Sequence, residues 1–523
     1  MSPPTPPGPR VAVIGGGLAG ITAAIALAEA GAAVTLLEAR PRLGGATCSF
    51  TRDGLVVDTG QHVFLGCCTA YRGLLDRLGM TAHAPLQDRF DVSVLAPDPS
   101  SPAGQVRRGR LRRTALPGPL HMLPALARYP FLSVAERSVV SRPALALRRV
   151  DPADPVVDEQ RFGDWLAARG QDERARRALW DLFTVSALNI AGDDASLALA
   201  ATVVKTGLLG RNNAADIGVP ALPLGELHGD AAATRLAKLG ARVLIGAKVA
   251  AIEADADAER GRPSRPRFRL RLARPAGPAD LADLADPDDP GAGASADASL
   301  ADVSPASDAS GIDIAADAVV LAVPHEAAAR LMPPGALPDG TVAGWAGLGA
   351  SPIVNVHVIY DRQVTDLPFA AAVDSPVQWV FDRTRISGLD RSSPAKQYLA
   401  ISLSAADEYV DVPAARLREQ FVPALAELFP AARDARVVEF FVTRERRATF
   451  RQAPGSARLR PRAGTQLPGL MLAGAWTATG WPDTMEGAVR SGLAAAIELR
   501  NTVLSSRVST EPNTYTSEIG VRP

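Results

Sequence analysis

Residues 11–38 read VAVIGGGLAGITAAIALAEAGAAVTLLE. VAVI is short and apolar, as a buried strand requires, and the glycine cluster at 15–20 forces a tight turn. Ile21–Ala30 reads as a buried helix closed by Gly31, and AAVTLLEA returns as a second strand. The stretch is apolar enough to imitate a signal peptide or a membrane span, but its glycines and Glu29 suit neither. Gly15-x-Gly17-x-x-Gly20 has dinucleotide-binding spacing. Gly15 permits the turn, Gly17 lets backbone approach a pyrophosphate, and Gly20 lets the helix pack on the strand. Leu18 and Ala19 lie beside these glycines, where a helix start favours an anion. Glu38 closes the second strand eighteen residues after Gly20, where a carboxylate meets ribose hydroxyls.

The chain has 523 residues, too many for one ordinary core, so two joined domains are expected. It is 47% hydrophobic and 21% charged, within the globular range. Fifty-six basic residues balance fifty-six acidic ones, so no overall field argues for nucleic acid. Cys48, Cys67 and Cys68 form no disulfide framework, which points to a reducing compartment, and no Cys/His cluster announces a metal.

Directly after Glu38 comes ARPRLGG, which supplies Arg42, Gly44 and Gly45. An arginine suits a diphosphate through its forked donors. Far downstream, residues 472–492 read LAGAWTATGWPDTMEGAVRSG, and Asp483-x-x-Glu486 there has the form of a capping box before a helix. With GARVLIGAKVAAIEA and ADAVVLAVP between them, these segments resemble the flavoproteins of the amine oxidase and phytoene desaturase superfamily. The resemblance covers the nucleotide-binding half of the chain in the right order. It implies FAD as the cofactor. It further implies that Arg42, Gly44 and Gly45 lie along the pyrophosphate and ribityl chain and that Val249 meets the adenine through its backbone. Gly474, Trp476, Met485 and Glu486 would hold the flavin end, the helix start there stabilising its reduced charge.

Three details narrow the resemblance: Asp58-Thr-Gly60-Gln61-His62 followed by FLGCCTAY, the segment ending SALN at Asn189, and the form W-T-x-T-G-x-P-x-T-x-E-G-A-V-x-S-G. They are similar to the hydroxysqualene dehydroxylase family, also called squalene-associated FAD-dependent desaturases. LPGPLHMLPAL (116–126) also fits that family's middle region. One departure stands out, since Ala475 occupies a position that is usually aspartate in that family.

The expected fold is α/β, a Rossmann-like FAD-binding domain with an interleaved α+β substrate-binding domain of amine oxidase type. The FAD-binding parts are expected at 10–80, 230–325 and 460–503, and the substrate parts at 81–229 and 326–459. A tract at about 274–311, rich in Ala, Asp, Pro, Gly and Ser, reads as a disordered insertion, and 504–523 as a disordered tail.

The narrower resemblance implies reductive removal of an allylic hydroxyl from a polyisoprenoid, hydroxysqualene, giving squalene in squalene and hopanoid biosynthesis. His62 and Asp483 are the candidate proton donors, although His62 equally suits a hydrogen-bonded structural role and Asp483 a helix cap. Asn189 is a candidate partner of the hydroxyl or a helix C-cap, and Trp476 and Trp481 wall the flavin or fill the core. A related carotenoid-type desaturase or isomerase, an amine oxidase, and a flavin-bound lipid carrier remain open alternatives. Residues 107–113 concentrate five arginines beside an apolar stretch. The segment 107–132 therefore suits either a peripheral contact with an anionic membrane or a solvated hairpin beside a buried helix. The expected location is cytoplasmic, including the inner face of the cell membrane.

Overall fold

A computed structural model describes residues 8–98, 100, 105–118, 120–254, 267–273, 303–305 and 313–504. The expected disordered tail 504–523 lies outside these residues except for its first. So does most of the insertion, with one correction. Val303–Pro305, placed by sequence within the disordered tract, forms an edge strand parallel to Arg242–Ile245.

The opening strand Arg10–Ile14 sits inside a six-stranded parallel sheet. Across it run Val303–Pro305, Arg242–Ile245, Ala33–Leu37, Arg10–Ile14, Ala318–Leu321 and Leu470–Leu472. Successive residues of these strands face opposite sides, so the two faces can be read from alternation. Val11, Val13, Leu36 and Val320 pack with Ile21 and Ile25 of the first helix and Val489 of the last. Ala12, Ile14, Leu37, Val319 and Leu321 pack the other way, with Trp345 and Trp476. Both faces are covered, which is why the strands read as continuous apolar runs. An antiparallel sheet of Val249–Ala254, Phe268–Leu272 and Asp313–Ala316 contributes to the second layer.

A seven-stranded mixed sheet forms the other body, ordered Val437–Thr449, Ser351–Tyr360, Gln397–Leu403, Trp379–Asp382, Phe369–Ala372, Asp91–Pro97 and Val106–Arg112. Its Val92, Val94, Phe369 and Phe381 meet the helices between 123 and 208. Its Val354, Val356, Leu399 and Ile401 meet the helix Ala414–Leu428. The chain thus crosses between the two bodies repeatedly, and the strand Leu55–Asp58 and loop 59–62 lie where they join.

Candidate active site

At the first glycine turn, the helix spans Leu18–Glu29, starting three residues earlier than the sequence pattern indicates. Gly20 makes this possible: a Cβ there would collide with Gly15 O, so only glycine lets the first helical turn rest on the loop. The Arg42–Gly45 loop lies against the same turn. Gly44 N–H donates to Gly16 O at 2.8 Å, and a Cβ on Gly45 would come within 2.9 Å of Gly17 Cα. Around Gly17 the space is otherwise open. No side chain caps the helix, and its first turn carries no acid, so its backbone donors and positive dipole end are left for an anion.

Glu38 is buried behind this gap. Its Oε2 accepts from Gly16 N–H at 2.6 Å and its Oε1 from Arg40 N–H at 2.8 Å. The Glu38 carbonyl accepts from Ala247 N–H at 2.8 Å, which draws Val249 towards the same acid. Arg42 is half-buried in the loop between Glu38 and Gly45. An open glycine-lined gap, an uncapped helix end and a carboxylate opposite fit a dinucleotide. In FAD, Gly15, Gly17, Leu18, Ala19 and Gly20 would meet the diphosphate, Glu38 and Val249 the adenosine, and Arg42, Gly44 and Gly45 the link to the flavin.

The C-terminal stretch joins this cradle through helix packing. A Cβ on Gly492 would collide with Ala19 O, so Met485–Leu499 crosses the first helix at backbone contact. Gly474 N–H donates to Ser491 Oγ at 2.8 Å, tying the loop back to the helix. The expected capping box is corrected. The cap is Thr484, whose Oγ1 accepts from Gly487 N–H at 3.2 Å. Glu486 turns away to cap a different helix, Thr69–Leu78, by accepting from Ala70 and Tyr71 N–H at 3.1 and 2.8 Å. It also pairs with Arg490 at 2.8 Å.

Trp476 is a core residue more than a wall of the site. Its indole N–H donates to Val323 O at 2.9 Å and its ring stands edge-on to Trp345 with centroids 4.8 Å apart. Trp481 is half-buried under Arg490. Asn189 is spent as well. It caps its helix in the left-handed conformation and bonds Ser351 O, Thr449 Oγ1 and Ala405 N–H at 2.9, 3.1 and 2.7 Å.

Asp483, released from capping, takes a different character. One oxygen accepts from Phe450 N–H at 2.9 Å. Burial pushes its pKa up to about 6, against the pull of that bond and of Arg460. Arg460, which no local pattern marked, is buried and holds the loop by its carbonyls. It donates to the O atoms of Ala475, Thr477 and Trp481 at 2.9, 2.6 and 2.8 Å. Desolvation lowers its pKa to about 10.

The Asp58–His62 loop meets the cradle through Ala46, whose carbonyl accepts from Thr59 Oγ1 at 2.8 Å. Asp58 is buried in an ion pair with Arg383, which follows the central strand Trp379–Asp382, and accepts from Ser49 Oγ and Leu224 N–H at 2.6 and 3.0 Å. Arg383 lies 325 positions away and was likewise invisible in the sequence. Gly60 backs onto the His62 ring, a Cβ there coming 3.1 Å from Nε2. Burial lowers the His62 pKa, opposed by the Asp58 charge.

This geometry defines a dinucleotide-binding protein of the doubly wound type, with its cradle at a strand–turn–helix and the Asp58–Arg383 pair joining it to a second sheet. The flavin containing amine oxidoreductase family matches residues 18–262 and 303–499, and the chain belongs to that family. Among its relatives is the hydroxysqualene dehydroxylase of Rhodopseudomonas palustris, 28% identical over 500 residues, covering 93% of this chain and 97% of the relative. The zeta-carotene desaturase of Zea mays is 26% identical over 528 residues, covering 94% and 84%. In fold, the chain is similar to the cyclohexylamine oxidase of Brevibacterium oxydans, with a TM-score of 0.63 at 18% identity, covering 95% and 99% of the two chains.

Proposed function

We propose that this protein reductively dehydroxylates hydroxysqualene to squalene. The observation that carries the reading is the end-to-end similarity to a hydroxysqualene dehydroxylase, which spans the seven-stranded sheet and the glycine cradle alike. The C–O bond breaks with its electron pair on oxygen, the oxygen takes a proton and leaves as water, and a C–H bond replaces it. Bound FAD in its reduced form would supply the hydride for that bond, with a separate reductant to restore it. Asp483 is assigned the proton, because a carboxyl titrating near 6 keeps far more acid form at neutral pH than an ordinary one. His62, held neutral by burial, is assigned to orient the hydroxyl by hydrogen bonding.

The test is anaerobic incubation of the reduced holoenzyme with hydroxysqualene, followed by mass analysis of the product. Squalene is expected. A more unsaturated product would move the protein to the desaturases, the reading that the maize relative favours, and a yellow protein that converts nothing would make it a lipid carrier.

A peripheral membrane contact belongs to the same proposal, relocated from charge to apolar surface. Of the arginines at 107–113, Arg110 and Arg112 pair with Asp91, and Arg113 with Asp216. Leu116, Leu120 and Leu123, by contrast, stand 45%, 46% and 40% exposed in one short segment. No described helix is long and apolar enough to cross a membrane. Replacing the three leucines with serine is expected to abolish sedimentation with anionic liposomes. Unchanged sedimentation would discard the contact.

A further inference from the structure

A small cleft opens at the junction of the two bodies, between the 58–62 loop, the segment at 219–224 and the end of strand Trp379–Asp382. Asp58, Gln61, His62 and Arg383 are among its lining residues, and Leu224 and Phe381 help to close it. It has room for about one water molecule. Three of its polar groups are accounted for. Asp58 and Arg383 neutralise each other, and His62 lies over Gly60 beside the Ala46 carbonyl. The fourth is not: Gln61 Oε1 is buried and accepts no hydrogen bond from any described residue. A buried amide oxygen without a donor is costly, and its persistence beside a cavity of this size points to a hydroxyl or water that completes it.

We propose that this cleft seats the hydroxyl of the bound substrate before its C–O bond breaks. Gln61 Oε1 accepts from it and the His62 ring is its second partner, while the Asp58–Arg383 pair is a positioning frame that fixes the loop without adding a net charge. The proposal rests on the dehydroxylase reading and names the group that separates hydroxysqualene from squalene. The cleft neighbours the cofactor cradle through Ala46, which follows Gly45 and anchors Thr59. Such a site discriminates strongly, because an analogue lacking the hydroxyl leaves Gln61 unsatisfied.

The test separates binding from turnover. Oxidised holoenzyme, without reductant, is titrated with hydroxysqualene and with squalene in detergent micelles, with binding followed by intrinsic tryptophan fluorescence. The wild type is expected to prefer hydroxysqualene. Gln61→Leu is expected to lose roughly 3- to 10-fold in hydroxysqualene affinity, as for one neutral hydrogen bond, with squalene affinity unchanged. Gln61→Met, another apolar replacement, gives the same reading should the leucine variant lose its flavin. If both variants keep the wild-type preference, the cleft proposal is overturned while the dehydroxylase reading stands. A wild type that binds neither isoprenoid overturns the reading and the cleft with it.

Discussion

Around residues 15–45 the backbone takes its shape from side chains that are missing, whereas around 474–486 it takes its shape from side chains that reach in from elsewhere. Gly20 and Gly45 allow contacts that any Cβ would block. The C-terminal loop is instead gathered by Arg460 and its helix capped by Thr484. A fold built by omission is steep, since one methyl breaks it. One built by hydrogen bonds degrades in steps, because several bonds share the load.

The largest effect follows from that steepness. Gly20→Ala forces a Cβ into Gly15 O and is expected to cost about 3 kcal/mol or more, seen as a fall in Tm and loss of flavin. Gly17→Ala meets no atom closer than 3.9 Å. Its Tm without flavin should stay near wild type, while flavin affinity drops about tenfold because the methyl occupies the diphosphate's space. If both variants lost stability equally, the gap at Gly17 would not be a ligand gap.

Asp483→Asn tests the closing loop at its chemical group. Turnover is expected to fall about 100-fold at about pH 5, measured anaerobically with reduced enzyme, and the gap to wild type should narrow as pH rises. Wild-type turnover should itself decline as pH rises through about 6, where the carboxyl loses its proton. Stability gives an independent reading. An unfolded aspartate titrates at about 3.9, so between there and about 6 the native state holds the extra proton. Stability therefore decreases as pH rises through that window and stays lower above it. The asparagine variant lacks this loss, so its Tm relative to wild type should be higher at pH 8 than at pH 4. A difference in Tm that does not change with pH would show that Asp483 is not held in its acid form.

Arg460→Met should cost about 2 kcal/mol, less than the glycine substitution, because the freed carbonyls of the 475–481 loop can find water. Flavin should be released at lower denaturant than that needed to unfold the protein. Coincident transitions would place Arg460 in the core and not in the site.

The same contrast explains which parts of the molecule could be read from its sequence. The cradle was legible because its constraint is local: three glycines, a strand on each side of a helix, and an acid at the second strand's end all fall within 28 residues. The C-terminal helix was legible too, but not its wiring. Asp483-x-x-Glu486 has the right letters for a capping box, yet Thr484, one residue further on, caps the helix, and Glu486 serves the first turn of another helix by accepting from Tyr71, 415 positions away. Arg383 and Arg460 were missed for the same reason, since a buried arginine is identified by its partners and not by its neighbours in sequence. Trp476, in a motif that resembles a flavin-holding one, was drawn into the core by Trp345 and Val323. Residues 303–305 escaped because a strand of three residues, paired only on one edge, leaves almost no compositional trace.

The smallest effect concerns the departure from the family pattern at Ala475. Residue 475 points its Cβ towards the first turn of the C-terminal helix, 3.6 Å from where a Cβ on Gly487 would stand. An acid introduced by Ala475→Asp therefore has two possible partners. It can reach a ribityl hydroxyl, tightening FAD by one hydrogen bond, about 1 kcal/mol or roughly fivefold in Kd. Alternatively it can turn to the helix N-terminus, which favours a carboxylate by about 0.3–1 kcal/mol whether or not flavin is present. The two outcomes separate by measurement. In the first, Tm rises only in the flavin-loaded protein and the Kd from equilibrium titration falls. In the second, Tm rises equally in the flavin-free protein and the Kd is unchanged. The first is expected, because Thr484 already takes the Gly487 N–H at the helix start and leaves the new carboxylate fewer donors there.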